Sequence, residues 1–413
     1  MRPVSLDGVR LDAAAQLKHF QRFLSLPRET LPQLTTEEAR RLLEAAARRC
    51  RLDFVEMRHA TPIFLLLPWE ERAPLATIFA AWHAEALPVS PGAIDGGERL
   101  ALAATLSAVE SLAADGFLGS PGTPDVAVVV APGSTQGSLP LDEALRGHRS
   151  RLQAPVALWP RLIGEAPRRR RAYLGARGRV VLGLWGEGAN PYGLRDRLVE
   201  SLSADAYGPR PLDFELLRKL AGSADATAFL ERAALDREPL AGEAEERFRR
   251  ALFEPRGDVL QPSVRHPDRP QAWITIETAE AMEPEEILRQ ARAAAGETRI
   301  EVAEAFRWDR LNIHHPTVQA LIAMAKSRSE GPEIWPMAPW PTPSGIFTRA
   351  LGVGLGEWGI ALRPGSQEIA IRFPTAEAFG ALALEVAELL LHAVAEAEPG
   401  AAPRRAPEAR PTP

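Results

Sequence analysis

Cysteine is nearly absent from this chain: Cys50 is the only one in 413 residues. No disulfide framework can form within the chain, and a reducing compartment is the natural expectation. Cys50 closes a helix-like stretch with no histidine beside it in sequence, so it reads as structural. Lysine is almost as scarce. Lys18, Lys219 and Lys326 are the only ones, and arginine makes up the rest of the basic residues. That imbalance reads as codon bias in a GC-rich genome rather than a built basic site. Positive charge is not in excess either; the formal net charge is -5, which leaves no footprint for nucleic acid. No uninterrupted apolar run is long enough to span a bilayer. The stretch from Leu6 to Arg22 mixes charges into its apolar residues, unlike a signal peptide. These absences point to a soluble, cytoplasmic protein with no nucleic-acid or membrane partner.

What is present suits a globular chain large enough for two domains: 46% hydrophobic and 25% charged residues. Residues 9–26 carry apolar positions at helical spacing. Thr35 and Glu38 form a capping box before a second helix over 39–49. The period then changes. Segments 52–56, 62–67, 75–81, 126–130 and 156–159 are short, apolar and bounded by turn residues, as strands are. Helices are expected between them at 99–114 and 141–152. Strands alternating with helices predict a mostly parallel sheet covered on both faces. Beyond this the pattern shifts. A long strand is expected over 173–185, a helix over 194–203 and a helical insert over 214–253. Strands near 259–264 and 272–276, a helix over 284–295 and a strand over 298–303 follow. Setting the insert aside, this is β-α-β-β-α-β, the split arrangement of a small separate domain. The α/β pattern resumes from Phe306, with helices over 315–326 and 376–395 and a short one ending at Leu351. The domain division is therefore 1–174, 175–302 and 303–396, with a disordered Pro-, Ala- and Arg-rich tail at 397–413.

Several residues stand where chemistry could be carried. The strand over 75–81 runs into His83 and Glu85, followed by Pro88. A histidine and a carboxylate two residues apart after a buried strand suit a metal ligand and its orienting group or base. Asp95 follows in a Gly-flanked turn at a helix start, where it reads as a ligand or as an ordinary cap. The run Arg168, Arg169, Arg170 and Arg171, beside Pro167, reads as a solvated linker, with an anion patch as the alternative. His314 and His315 form the only adjacent histidine pair and read as a turn before the helix that follows Pro316. Trp335, Trp340 and Trp358 gather with Pro336, Pro339, Pro341 and Pro343 into a possible pocket rim for a peptide or amino-acid ligand, or a plug. The run from Gly352 to Gly356 lacks the Lys-Ser/Thr that a phosphate loop needs.

Taken together, His83, Glu85 and Pro88 resemble a Gly-His-x-Asp-x-x-Pro motif, and Gly92, Ala93 and Asp95 resemble a Gly-Ala-x-Asp-Asp-Lys-Gly motif. Both belong to the superfamily of carnosinase, acetylornithine deacetylase and succinyl-diaminopimelate desuccinylase, two-zinc hydrolases of amide bonds. The stretch from Tyr173 resembles that family's entry into its lid, and Thr342 to Ile346 resembles its substrate-side loop. The resemblance implies an aminopeptidase-like α/β fold interrupted by a smaller α+β lid that dimerises, as a homodimer or heterodimer. It also implies zinc, with His83 as a ligand and Asp95 bridging two ions. The departures are as informative. The family's Glu-Glu pair, general base and ligand, falls on Ser134 and Thr135. An acidic ligand is expected shortly after the 156–158 strand, where Pro160 stands, and the last histidine ligand falls on Gly365. Two zinc ions cannot each keep a three-ligand protein shell on what remains. The resemblance with its losses predicts a non-catalytic binding or partner subunit that holds no cofactor. The alternative is an active hydrolase of dipeptides or N-acyl amino acids with an altered or single zinc site.

Overall fold

The computed structural model describes residues 6, 9–24, 36–58, 62–69, 72–81, 95–119, 123, 125–131, 138–162, 170–186, 190–203, 254–261, 270–278, 283–296, 298–327, 333–335, 337–338, 341–360 and 375–397. Helices α1 (Ala13–Leu24) and α2 (Thr36–Arg49) come first. The first α/β stretch is β1 (Leu52–Met57), β2 (Ile63–Pro68), β3 (Ala76–Ala81), α3 (Asp95–Ala114), β4 (Val126–Ala131), α4 (Ser138–Gly147), α5 (Arg149–Leu152) and β5 (Val156–Leu162). Then follow β6 (Arg171–Tyr173), β7 (Gly175–Ala176), β8 (Gly178–Trp185), α6 (Pro191–Ser203), β9 (Arg256–Leu260), β10 (Ala272–Thr278), α7 (Pro284–Ala295) and β11 (Arg299–Phe306). The chain closes with β12 (Asp309–Arg310), α8 (Pro316–Lys326), β13 (Glu333–Trp335), α9 (Ser344–Leu351), β14 (Leu355–Ile360) and α10 (Ala376–Ala397).

Among the described residues the larger sheet has the order β1-β2-β4-β3-β5-β14-β6-β13. Its four central strands, β4, β3, β5 and β14, run parallel to one another. Antiparallel contacts join β2 to β4 on one side and β6 to β14 on the other. Every residue of β3 and β4 is buried, as expected of strands covered on both faces. The alternation of side chains divides the core in two. Ile78, Val128, Leu158 and Trp358 face one apolar cluster with α3, α8 and α10; Phe79, Val129, Trp159 and Leu355 face another with α4 and α9. The expected α/β architecture, helices on both faces included, is what the chain adopts.

Helix α10 is long and apolar enough to cross a membrane, which an uninterrupted-run criterion does not register. It packs against α1, α3 and α8, and that burial accounts for its composition. Helix α8 is capped by His315, whose Nδ1 accepts from the Thr317 N–H at 3.2 Å, with Pro316 at the first helical position. The histidine pair is thus a turn and cap, as expected from its place before Pro316.

The second sheet has the order β11-β8-β10-β9, antiparallel throughout. Its first strand in sequence lies between the fourth and the third, the split arrangement read from the pattern. It has its own apolar cluster, including Leu182, Ile274, Leu198 and Ile287 from strands and helices α6 and α7. The expected long strand over 173–185 is in fact three pieces. Its first, β6, belongs to the large sheet, while β7 pairs with β12 and β8 belongs to the small sheet. A bulge between Val302 and Glu304 bends β11 where it nears this crossing. There Glu304, 1% exposed, faces Arg179 at 3.5 Å. Thr35, the insert over 214–253 and the tail beyond Ala397 lie outside the described residues.

Candidate functional site

The parallel strands place the candidate site before any side chain is considered. The carboxyl ends of β3, β4, β5 and β14 all lie along one edge of the sheet. Ala81 is level with Ala131, and Leu162 with Ile360. The chain leaves β3 toward β4 through α3 on one face, and leaves β4 toward β5 through α4 on the other. Connections that diverge in this way create a crevice at the carboxyl ends, where α/β sheets bind ligands. The ladders mark it. Pairing of β3 with β5 stops at Ile78–Leu158, while β3 stays with β4 to Ala81 and β5 stays with β14 to Leu162. The sheet therefore parts between β3 and β5 over their last residues.

The expected site residues fall on the connections leaving this edge. His83 and Glu85 follow β3, Ser134 and Thr135 follow β4, and Gly365 follows β14; all five lie outside the described residues. Asp95 is the first residue of α3, so its backbone is placed and its side chain is not described. Trp340 also lies outside the described residues.

Three expectations need correcting. Pro160 does not follow its strand; it lies inside β5, level with Trp358 of β14. It is two residues past the end of the β3–β5 ladder, where a strand residue without an N–H is tolerated. The first acid beyond the true end of β5 is Glu165. Trp335 and Trp358 do not line a rim, because each is 0% exposed and belongs to a strand of the large sheet. The Trp358 indole N–H donates to Glu385 Oε1 at 2.9 Å. The arginine run is no solvated linker at its end: Arg170 pairs with Glu385 at 2.6 Å, and Arg171 is buried in β6.

The glycine-rich segment ending at Gly356 is the entry to β14, not a loop for a ligand. A Cβ on Gly356 would stand 2.6 Å from Thr317 Cγ2 and 2.8 Å from Leu321 Cδ1, so α8 can cross the strand only over a glycine. The substrate-side stretch from Thr342 is similarly enclosed. Ser344 is buried, donates to Asp309 Oδ2 at 2.5 Å and accepts from the Leu355 N–H at 2.9 Å. Ser344 thereby ties α9 to β14 and β12.

One group of residues at this edge was not foreseen. Trp159 and Arg161 of β5, Glu357 of β14, and Arg171 and Tyr173 of β6 lie on one face in adjacent registers. Arg161 and Arg171 are both level with Gly359, one on either side of it. The Arg161 guanidinium is 3.4 Å from Glu357 and 4.6 Å from the centre of the Trp159 ring. Arg171 hydrogen-bonds Tyr173 and stands 5.8 Å from the centre of the Trp335 ring. Burial pushes the Tyr173 phenol well above its ordinary range, against the pull of Arg171, so it stays neutral. The period-two alternation of Trp159 with Arg161, and of Arg171 with Tyr173, was the available signal. It was hidden because β5 was ended early and the arginines were read as linker. Among the described residues no group of three or more His, Cys, Asp or Glu side chains converges as a metal site.

No family model and no curated protein matches the sequence. Solved structures match the fold. The M20 family metallo-carboxypeptidase Sso-CP2 from Sulfolobus solfataricus aligns with a TM-score of 0.65 at 14% identity, covering 93% of this chain and 99% of that one. Human carnosine dipeptidase 1 aligns at 0.58 and 10% identity, covering 92% and 97%. The di-peptidase Dug1p from Saccharomyces cerevisiae aligns at 0.58 and 13% identity, covering 92% and 95%. Over more than nine-tenths of its length, this chain has the fold of the M20 metallopeptidases.

Proposed function

We propose that the chain is a non-hydrolytic ligand-binding protein built on the metallopeptidase fold, working in the cytoplasm. The observation that carries this reading is the connection between β4 and α4. Its bounds are Ala131 and Ser138, and it reads Pro132, Gly133, Ser134, Thr135, Gln136 and Gly137. It holds no acid and no imidazole, so no shift of alignment within it can supply a general base. A serine or threonine hydroxyl is not basic near neutral pH without an activating partner. The connection after β14, residues 361–374, holds no histidine either. The only histidine beyond it is His392, buried in α10 at 3.9 Å from Glu388. Loss of one essential base typically costs orders of magnitude in rate. Dimer formation through an edge of the small sheet, β9 or β11, belongs to the same reading.

A second reading has a specific observation in its favour. Because β5 ends at Leu162, Glu165 takes the place of the acid expected after that strand. His83, Asp95 and Glu165 are together a three-ligand set for one zinc with an open position. The distinguishing experiment is an assay of the full chain with added zinc on dipeptides and N-acyl amino acids. The binding-protein reading expects no turnover above the chain-free control. Zinc-dependent turnover abolished by Glu165→Gln would establish the single-metal hydrolase instead.

A further inference from the structure

We infer that the carboxyl edge of the sheet, on the face carrying Arg161 and Arg171, binds the carboxylate of a small acidic ligand. This rests on the reading of the crevice as a binding site and adds the class of what it binds. In the last row of the parallel strands, Arg161 and Arg171 flank Gly359, which has no side chain to fill the space between them. Around them Glu357 is the acid in contact, so two guanidinium charges meet one carboxylate. The described cluster therefore carries an excess of one positive charge in a largely buried setting, where an anion's attraction is weakly screened.

The two arginines are held differently, and the difference assigns their parts. Arg171 is 4% exposed and fixed by Tyr173 and the Trp335 ring, so it contributes field from behind. Arg161 keeps 20% of its side chain exposed, stacked over Trp159 and braced by Glu357. A guanidinium stacked on an indole retains in-plane N–H donors at its edge, the geometry that grips a carboxylate in two parallel bonds. Arg161 lies one residue from the end of β5, beside the parting of β3 and β5 where ligands enter. A dinuclear zinc site needs acids at such an edge; here the nearest charged side chains on this face are cationic. Phosphate shares the anionic chemistry and is separated by the test.

The test is isothermal titration of the full chain with three probes at low ionic strength: N-acetyl-L-alanine, the uncharged N-acetyl-L-alaninamide, and inorganic phosphate. Saturable binding of N-acetyl-L-alanine with none of the amide is expected. Arg161→Gln should weaken it at least about tenfold, and Arg161→Lys, which keeps the charge but not the fork, should fall between. Phosphate binding that competes with N-acetyl-L-alanine would support the site and name phosphate as a ligand source. Failure of both anions to bind, equal binding of the amide, or unchanged affinity in a folded Arg161→Gln protein would overturn the proposal. None of these outcomes depends on hydrolysis, so the absence or presence of turnover is judged separately.

Discussion

Trp358 distinguishes a buried strand from a solvent-facing rim, and the substitution Trp358→Phe tests which it is. The indole is wholly buried in β14, between β5 and β6, and its N–H donates to Glu385 at 2.9 Å. The same carboxylate oxygen receives Arg170 at 2.6 Å, so it is already committed to charge. Phenylalanine keeps the aromatic body and removes the N–H. A hydrogen bond to a charged acceptor is worth about 1.5–3 kcal/mol. The buried surface lost with the pyrrole part of the ring adds about 1 kcal/mol. The variant should therefore be about 3 kcal/mol less stable in equilibrium urea denaturation followed by far-UV circular dichroism. In a double-mutant cycle with Glu385→Gln, about 1.5 kcal/mol or more of coupling between the two sites should appear. A rim tryptophan would behave otherwise, since exposed substitutions usually stay within about 0.5 kcal/mol. A loss that small, or no coupling with Glu385, would refute the placement of Trp358 in the sheet.

Glu304 should make stability fall with rising pH. Burial raises its carboxyl from 4.5 to about 7, against the pull of Arg179. Below pH 4.5 it is protonated folded and unfolded alike; between there and about 7 the unfolded chain gives up its proton first, so folding is increasingly penalised. Glu304→Gln should gain up to about 3 kcal/mol on the wild type between pH 4 and pH 8, and parallel stability curves would contradict this. Cys50 should resist alkylation by iodoacetamide until the chain unfolds, because burial pushes its thiol well up from the ordinary range. Rapid labelling of the native protein would place it elsewhere.

The sequence carried the fold further than the site. Strands β1 to β4 were visible because Val126–Ala131 and its neighbours are uninterrupted apolar runs, the mark of burial on both faces. The split order of the small sheet followed from the alternation of periods alone. What was missed was missed for local reasons. Strand β14 looks like a loop because Gly354 and Gly356 interrupt it, yet Gly356 is there because Thr317 and Leu321 press against the strand. Pro160 looks like a strand end, although the ladder it would have broken had already stopped at Leu158. That single boundary moved the expected acid from Pro160 to Glu165 and concealed Arg161. Arg171 looked like linker because charge runs usually are solvated; here Tyr173, Glu357 and Trp335 surround it. A charged side chain buried by partners from distant strands leaves no local mark in a sequence.

Zinc stoichiometry tests the loss of the dinuclear centre most directly. The full chain would be equilibrated with a small excess of zinc, freed of loosely held metal, and measured by atomic emission alongside a mutant lacking His83. Expected is at most one zinc per chain, with none retained after His83→Ala. Two tightly held zinc ions per chain, both needed for turnover of a dipeptide, would contradict the reading of this protein as a binder rather than a hydrolase.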